Sequence, residues 1–136
     1  MALKAEILLP GNAVSGACLA LTAPISFWGG VDPATGAIID ARHPERGQNI
    51  AGRILALPGT IGSSSASAVL LELVHAGKAP TALLMDAPDA ILLLGLVVAR
   101  EMGWPTPPAF RLPAADQRAL ADRRIAISAE GLVTAA

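Results

Sequence analysis

Between Arg53 and Gly103 the chain alternates short apolar runs with longer ones of helical period, and this alternation constrains the fold more than any other feature. Arg53 to Leu57 reads as a strand that Pro58-Gly59 ends. A helix follows from about Ser65 or Ser67 to Ala76, with Val69, Leu70, Leu73 and Val74 on one period and Gly77 as the stop. Thr81 to Met85 reads as a second apolar strand. Asp89 is suited to cap a second helix, Ala90 to Met102, which Gly103 closes. Strand, helix, strand, helix in this order predicts a right-handed crossover unit with parallel strands. Ligands of such units bind beyond the carboxyl ends of the strands.

The flanks are read differently. Ile7 to Leu9 and Gly16 to Thr22 predict strands around a Pro10-Gly11-Asn12 turn, with Ala17, Leu19 and Leu21 on one face and Cys18, Ala20 and Thr22 on the other. Ile38-Ile39 reads as a short strand. Arg124 to Ser128 and Leu132 to Thr134, around Glu130-Gly131, predict a terminal hairpin. With no repeat and no long linker, residues 1–136 are expected to form a single domain, its core at about 5–103 and a tail at 104–136. Helices on one side of a central parallel sheet and β structure on the other give an α/β three-layer domain.

Composition narrows the function classes. A net charge of −1 gives no electrostatic reason to expect nucleic acid or an anionic membrane. Hydrophobic residues reach 53% and charged ones only 15%, so some apolar surface is expected to meet a partner. The apolar run from Ala90 to Ala99 is too short to span a bilayer, and Glu6 stands where a signal peptide needs basic residues. The expected setting is cytoplasmic. Cys18, the single cysteine, excludes an internal disulfide, cannot hold a metal cluster alone, and reads as a small core hydrophobe.

Three stretches hold candidate chemistry. Gly62-Ser63-Ser64-Ser65 places hydroxyls and backbone donors before a helix whose N-terminus favours anions. Serines there also serve as ordinary helix caps, and one serine could do both. Phe27-Trp28-Gly29-Gly30 puts two of four aromatics in a glycine-rich loop; Trp28 either packs beneath the loop or walls a ligand. Asp32 suits the turn that follows. Asp40, His43 and Glu45 match no metal-ligand spacing, and His43 reads as a polar pocket residue. A Gly-x-Ser-x-Gly elbow and a phosphate loop are both absent. His75, late on its helix, suits the dipole at that end better than a triad.

Together, Ser26-Phe27-Trp28-Gly29-Gly30-Val31-Asp32-Pro33 with Thr35-Gly36, then His43-Pro44, then Gly62-Ser63-Ser64-Ser65 with Ser67, Val69, Leu70, Leu71 and Glu72, resemble the small subunit, or swivel domain, of the aconitase X family. The resemblance runs from near the N-terminus to about Met102, with a weaker tail. It implies a swivelling β/β/α domain and a dehydratase made with, or fused to, a large subunit. No cofactor is expected in this chain; an iron–sulfur cluster or iron is implied in the large subunit. The resemblance makes Ser63 the proton acceptor. It makes Gly62, Ser64, Ser65, Phe27, Trp28, Gly29, Gly30 and His43 substrate-contacting residues. Ser65 stands where true aconitases carry arginine, which speaks against a tricarboxylic substrate.

Two reactions are known in the family: dehydration of cis-3-hydroxy-L-proline to Δ1-pyrroline-2-carboxylate, and dehydration of mevalonate 5-phosphate. The Gly-Ser-Ser-Ser and Phe-Trp-Gly-Gly runs look more like the former type. The competing class is a non-catalytic swivelling interaction module, in which alanine at the serines would cost only a cap, about 1 kcal/mol.

Overall fold

The computed structural model describes residues 2–62 and 64–136. Four strands run parallel in its centre: β3 (Val14–Ala20), β4 (Ile54–Leu57), β5 (Ala82–Met85) and β6 (Ala109–Arg111). Every residue of β4 and β5 is buried, as a parallel strand covered on both faces requires. Side chains alternate between two cores. Leu55, Leu57, Leu83 and Met85 face the helices, whereas Ile54, Ala56, Ala82 and Leu84 face the opposite layer. The two expected faces of β3 separate in the same way, Leu19 on the helix side and Cys18 on the other.

The helical layer is α2 (Ala66–His75) and α3 (Ala90–Glu101), preceded in the chain by α1 (Phe27–Gly30), a single kinked turn. Asp89 caps α3, accepting from the amides of Ile91 and Leu92. Both long helices close on a glycine with positive φ. The amides of Gly77 and Lys78 return to Val74 and Leu73, and those of Gly103 and Trp104 return to Arg100 and Ala99. His75, in the last turn of α2, stacks on Trp104 with ring centroids 4.5 Å apart.

The third layer is built by the chain's two ends. β7 (Arg124–Ile127) and β8 (Leu132–Ala135) form the expected hairpin; β7 pairs antiparallel with the first half of β3. β1 (Ala2–Lys4) joins β8, and β2 (Glu6–Leu9) joins β6. The strand order is therefore β1-β8-β7-β3-β4-β5-β6-β2. Its two ends are successive stretches of one chain on either side of Ala5, so the sheet closes on itself. At the closure the Ala5 amide donates to the Gly131 carbonyl at 2.8 Å. This is the α/β three-layer arrangement, with the parallel strands central.

The expected limit of the core near residue 103 is too short. Phe110, Leu112, Leu120, Ile125, Ile127 and Val133 are all buried in the core on the far side of the sheet. β6 and α4 (Ala114–Arg118) were not expected: β6 has three residues and emerges from Pro105, Pro107 and Pro108, which read as loop. The expected Ile38-Ile39 strand is not formed; isolated bridges join Val31 with Ile38 and Ala37 with Asn49 instead. Among the described residues, no helix is long and apolar enough to cross a membrane.

Candidate functional site

Three loops leave the carboxyl ends of the parallel strands: residues 21–31 after β3, 58–62 after β4 and 86–89 after β5. The first two run side by side. Ile25 and Thr60 form a parallel bridge. The Ile25 amide donates to Gly59 at 3.4 Å, and the Ile61 amide donates to Ile25 at 2.9 Å. The aromatic-glycine loop and the approach to the serine run, some 35 residues apart in sequence, are thus hydrogen-bonded neighbours. A Cβ on Gly30 would lie 3.3 Å from the Ile25 side chain, so glycine permits the close return of this loop.

The loop divides its two aromatics. Phe27 is 1% exposed and its ring belongs to the helix-side core, so its side chain does not wall a ligand. Trp28 is 62% exposed, so it does not pack beneath the loop. The reason is local: Trp28 has ψ 113 and Gly29 has φ +79, which turn the chain outward immediately after Phe27 has filled the core. Ser26 Oγ donates to the Trp28 carbonyl at 3.0 Å and fixes that turn. Gly29 is exposed with open space around its Cα, while Gly30 is buried.

In the serine loop, Gly62 and Ser64 are exposed, and a Cβ on Gly62 would meet nothing within 4 Å. Ser65 holds the N-cap position of α2 with helical φ and ψ, and its side chain makes no capping bond. Ser67 Oγ donates to the Ser64 carbonyl at 3.3 Å. Ser63, which the resemblance makes the proton acceptor, lies outside the described residues.

His43 is buried, and both ring nitrogens are engaged by backbone. Nδ1 accepts from the Glu45 amide and Nε2 faces the Ala23 carbonyl, each at 3.1 Å. These partners assign the neutral Nε2–H tautomer. The Glu45 carboxylate in turn accepts from the amide and hydroxyl of Thr22. His43 therefore clasps the base of the aromatic loop through residues 22 and 23 and offers a ligand no spare nitrogen. Asp32 holds the next turn as expected, its Oδ1 accepting from the Ala34 amide at 2.9 Å.

Sequence reasoning missed Thr60 and the second role of Asp89 at this edge. Thr60 Oγ1 donates to Asp89 Oδ2 at 2.8 Å, so the carboxylate that caps α3 also grips the serine loop's approach. Only the cap was legible, because a bond across 29 residues leaves no local pattern.

The described residues do not supply a metal centre: no three His, Cys, Asp or Glu side chains converge. Cys18 is fully buried, and its thiol is pushed up to about 11, chiefly by burial and secondarily by the negative charge of Asp122, with Arg53 opposing. Such a thiol stays protonated and is a poor ligand for iron.

The family model of the aconitase X swivel domain matches residues 2–134. The chain belongs to the aconitase X family. As a swivel domain it superposes on the crystal structure of Thermococcus kodakaraensis aconitase X in its holo form. The TM-score is 0.86 and the identity 30%, covering 100% of this chain and 98% of that one. It is 47% identical over 102 residues to the cis-3-hydroxy-L-proline dehydratase of Pseudomonas aeruginosa, covering 72% of this chain and 18% of that protein. It is 40% identical over 99 residues to the phosphomevalonate dehydratase small subunit of Thermococcus onnurineus, covering 73% of this chain and 75% of that subunit. The swivel domain thus spans about a fifth of the length of the hydroxyproline dehydratases it matches. The family match includes the tail, where the sequence resemblance was weaker.

Proposed function

We propose that this chain is the swivel part of an aconitase X dehydratase and forms one half of its active site, with a large subunit supplying the other half. The observation that carries this reading is the Ile25–Thr60 bridge, which puts the aromatic-glycine loop beside the serine loop at the carboxyl ends of the parallel strands. The proposed substrate is cis-3-hydroxy-L-proline, favoured by the 47% identity to the P. aeruginosa enzyme.

In this reaction Ser63 takes the proton from the carbon bearing the carboxylate. The hydroxyl on the adjacent carbon leaves as water, and the resulting enamine tautomerises to Δ1-pyrroline-2-carboxylate. Serine is a weak base, and its alkoxide needs a positive environment. The N-terminus of α2 supplies part of it. Gly62 and Ser64, both exposed, are the proposed backbone and hydroxyl contacts of the substrate, joined by Ser65, Trp28, Gly29 and the backbone of Phe27 and Gly30. An iron–sulfur centre is assigned to the large subunit, since the described residues here do not fit one. The proposed setting is the cytoplasm.

A second substrate, mevalonate 5-phosphate, is supported by the 40% identity to the archaeal small subunit. The test is to purify the chain with a large aconitase X subunit and assay both compounds. Turnover of hydroxyproline by the pair, its absence from either part alone, and its loss in Ser63→Ala by about 10²–10⁴-fold are expected. Near-normal turnover by the Ser63→Ala pair would remove Ser63 from the role.

A further inference from the structure

Gly62 has open space around its Cα and Ser64 is exposed, and the chain is held both where it enters this stretch and where it leaves. The entry is Gly59 to Ile61, bridged to Ile25 and held by the Thr60 hydroxyl on Asp89 Oδ2. That carboxylate is itself fixed, because Asp89 Oδ1 accepts from the first-turn amides of α3 at 3.0 and 3.1 Å. The exit is the first turn of α2, and it too is referenced to α3. Gly95 of α3 lies against the backbone of Ser67, where an added Cβ would stand 2.6 Å from the carbonyl oxygen.

We infer that α3 is the positioning frame of the serine loop, holding its entry through the Thr60–Asp89 hydrogen bond and its exit through the Gly95–Ser67 contact. Thr60, Asp89 and Gly95 are positioning residues; none of them is assigned a contact with substrate. The inference rests on the proposed dehydratase only for its kinetic consequence, because the tether itself is a property of this chain. A loop that presents a base must hold it to a fraction of an ångström, so loosening either end slows turnover without removing a binding group.

The discriminating variant is Thr60→Val, which deletes the donor and keeps the shape, with Thr60→Ser as its control. Residue-resolved amide exchange on the full chain is expected to show the Ile61 amide exchanging about fivefold to tenfold faster in Thr60→Val. The Leu55 and Leu83 amides of the central strands should keep their protection, and Thr60→Ser should restore the wild-type rate at Ile61. In the assembled enzyme, Thr60→Val should lower kcat about tenfold with KM within about twofold, and Thr60→Ser should recover kcat. Gly95→Ala should lower kcat similarly at temperatures where its far-ultraviolet circular dichroism is native. Unchanged exchange at Ile61, or equal acceleration in every strand, would overturn the tether. Wild-type kcat in both Thr60→Val and Gly95→Ala would overturn the positioning role. If the wild-type assembly turns over neither substrate, the functional reading fails while the exchange result still decides the tether.

Discussion

The imidazole of His43 faces the Ala23 carbonyl at 3.1 Å, a bond across 20 residues that pins the start of the aromatic loop. With the Glu45 amide on its other nitrogen, the ring is a two-sided backbone splint. His43→Ala leaves a partly buried carbonyl and a partly buried amide without their partner. It should cost about 1–3 kcal/mol, measured by urea denaturation. In a Trp104→Phe background, quenching of Trp28 fluorescence should also change. A denaturation midpoint equal to wild type would show that the splint carries no load.

Phe27 and Trp28 adjoin in sequence and part in role. Phe27→Ala removes a fully buried ring and should cost about 3–5 kcal/mol. Trp28→Ala removes an exposed one and should change stability by less than about 0.5 kcal/mol. Turnover of the assembled enzyme should fall in Trp28→Ala if the indole contacts substrate as proposed. A paired thermal melt and activity assay separates the two effects.

Cys18 should make the fold sensitive to alkali. Its folded-state pKa of about 11 lies above the ordinary value of 9.0. The raised value means the folded state favours the protonated thiol. This contribution is complete below pH 9 and is lost as pH rises through 11, when the unfolded chain gains by ionising first. Stability should fall over that window by an amount on the order of 2–3 kcal/mol. Cys18→Ala should flatten the decline, measured as the pH dependence of the urea midpoint. An equal slope in both proteins would rule out this thiol as the source.

Gly131 closes the sheet. It has φ +93, and a Cβ there would fall within van der Waals contact of the Ala5 carbonyl oxygen. Gly131→Ala should destabilise by about 1–3 kcal/mol through backbone strain and the clash. Amide exchange should rise first at Ala5, whose N–H donates to the Gly131 carbonyl.

The parallel half of this fold was legible because its signals are local. β4 and β5 are uninterrupted apolar runs, and α3 has an aspartate at one end and a glycine at the other. β6 was not legible: Ala109-Phe110-Arg111 is a short stretch behind prolines and gains its identity by pairing with β5 and β2. The closed sheet was hidden for a related reason, since Ala5 divides one extended segment between two partners that lie over 100 residues away. At the site, the sequence marked the serine and aromatic loops but not their adjacency. It placed His43 at a pocket without showing that its nitrogens were taken, and showed only one of the two roles of Asp89. Each of these depends on a contact between distant segments, which no spacing rule encodes.

The pairing of Ala2 with Thr134 has a kinetic consequence. β1 cannot find its partner until nearly all of the domain has been made, and the loop that must close is almost as long as the domain. At a synthesis rate of about 5–20 residues per second, β1 waits several seconds for β8 with its backbone edge unpaired. The crossover unit from β4 to α3 is made of neighbours and can condense early, whereas pairing β1 with β8 carries the entropic barrier of a long-range contact. Folding of this domain should therefore be limited by the last strands to be synthesised.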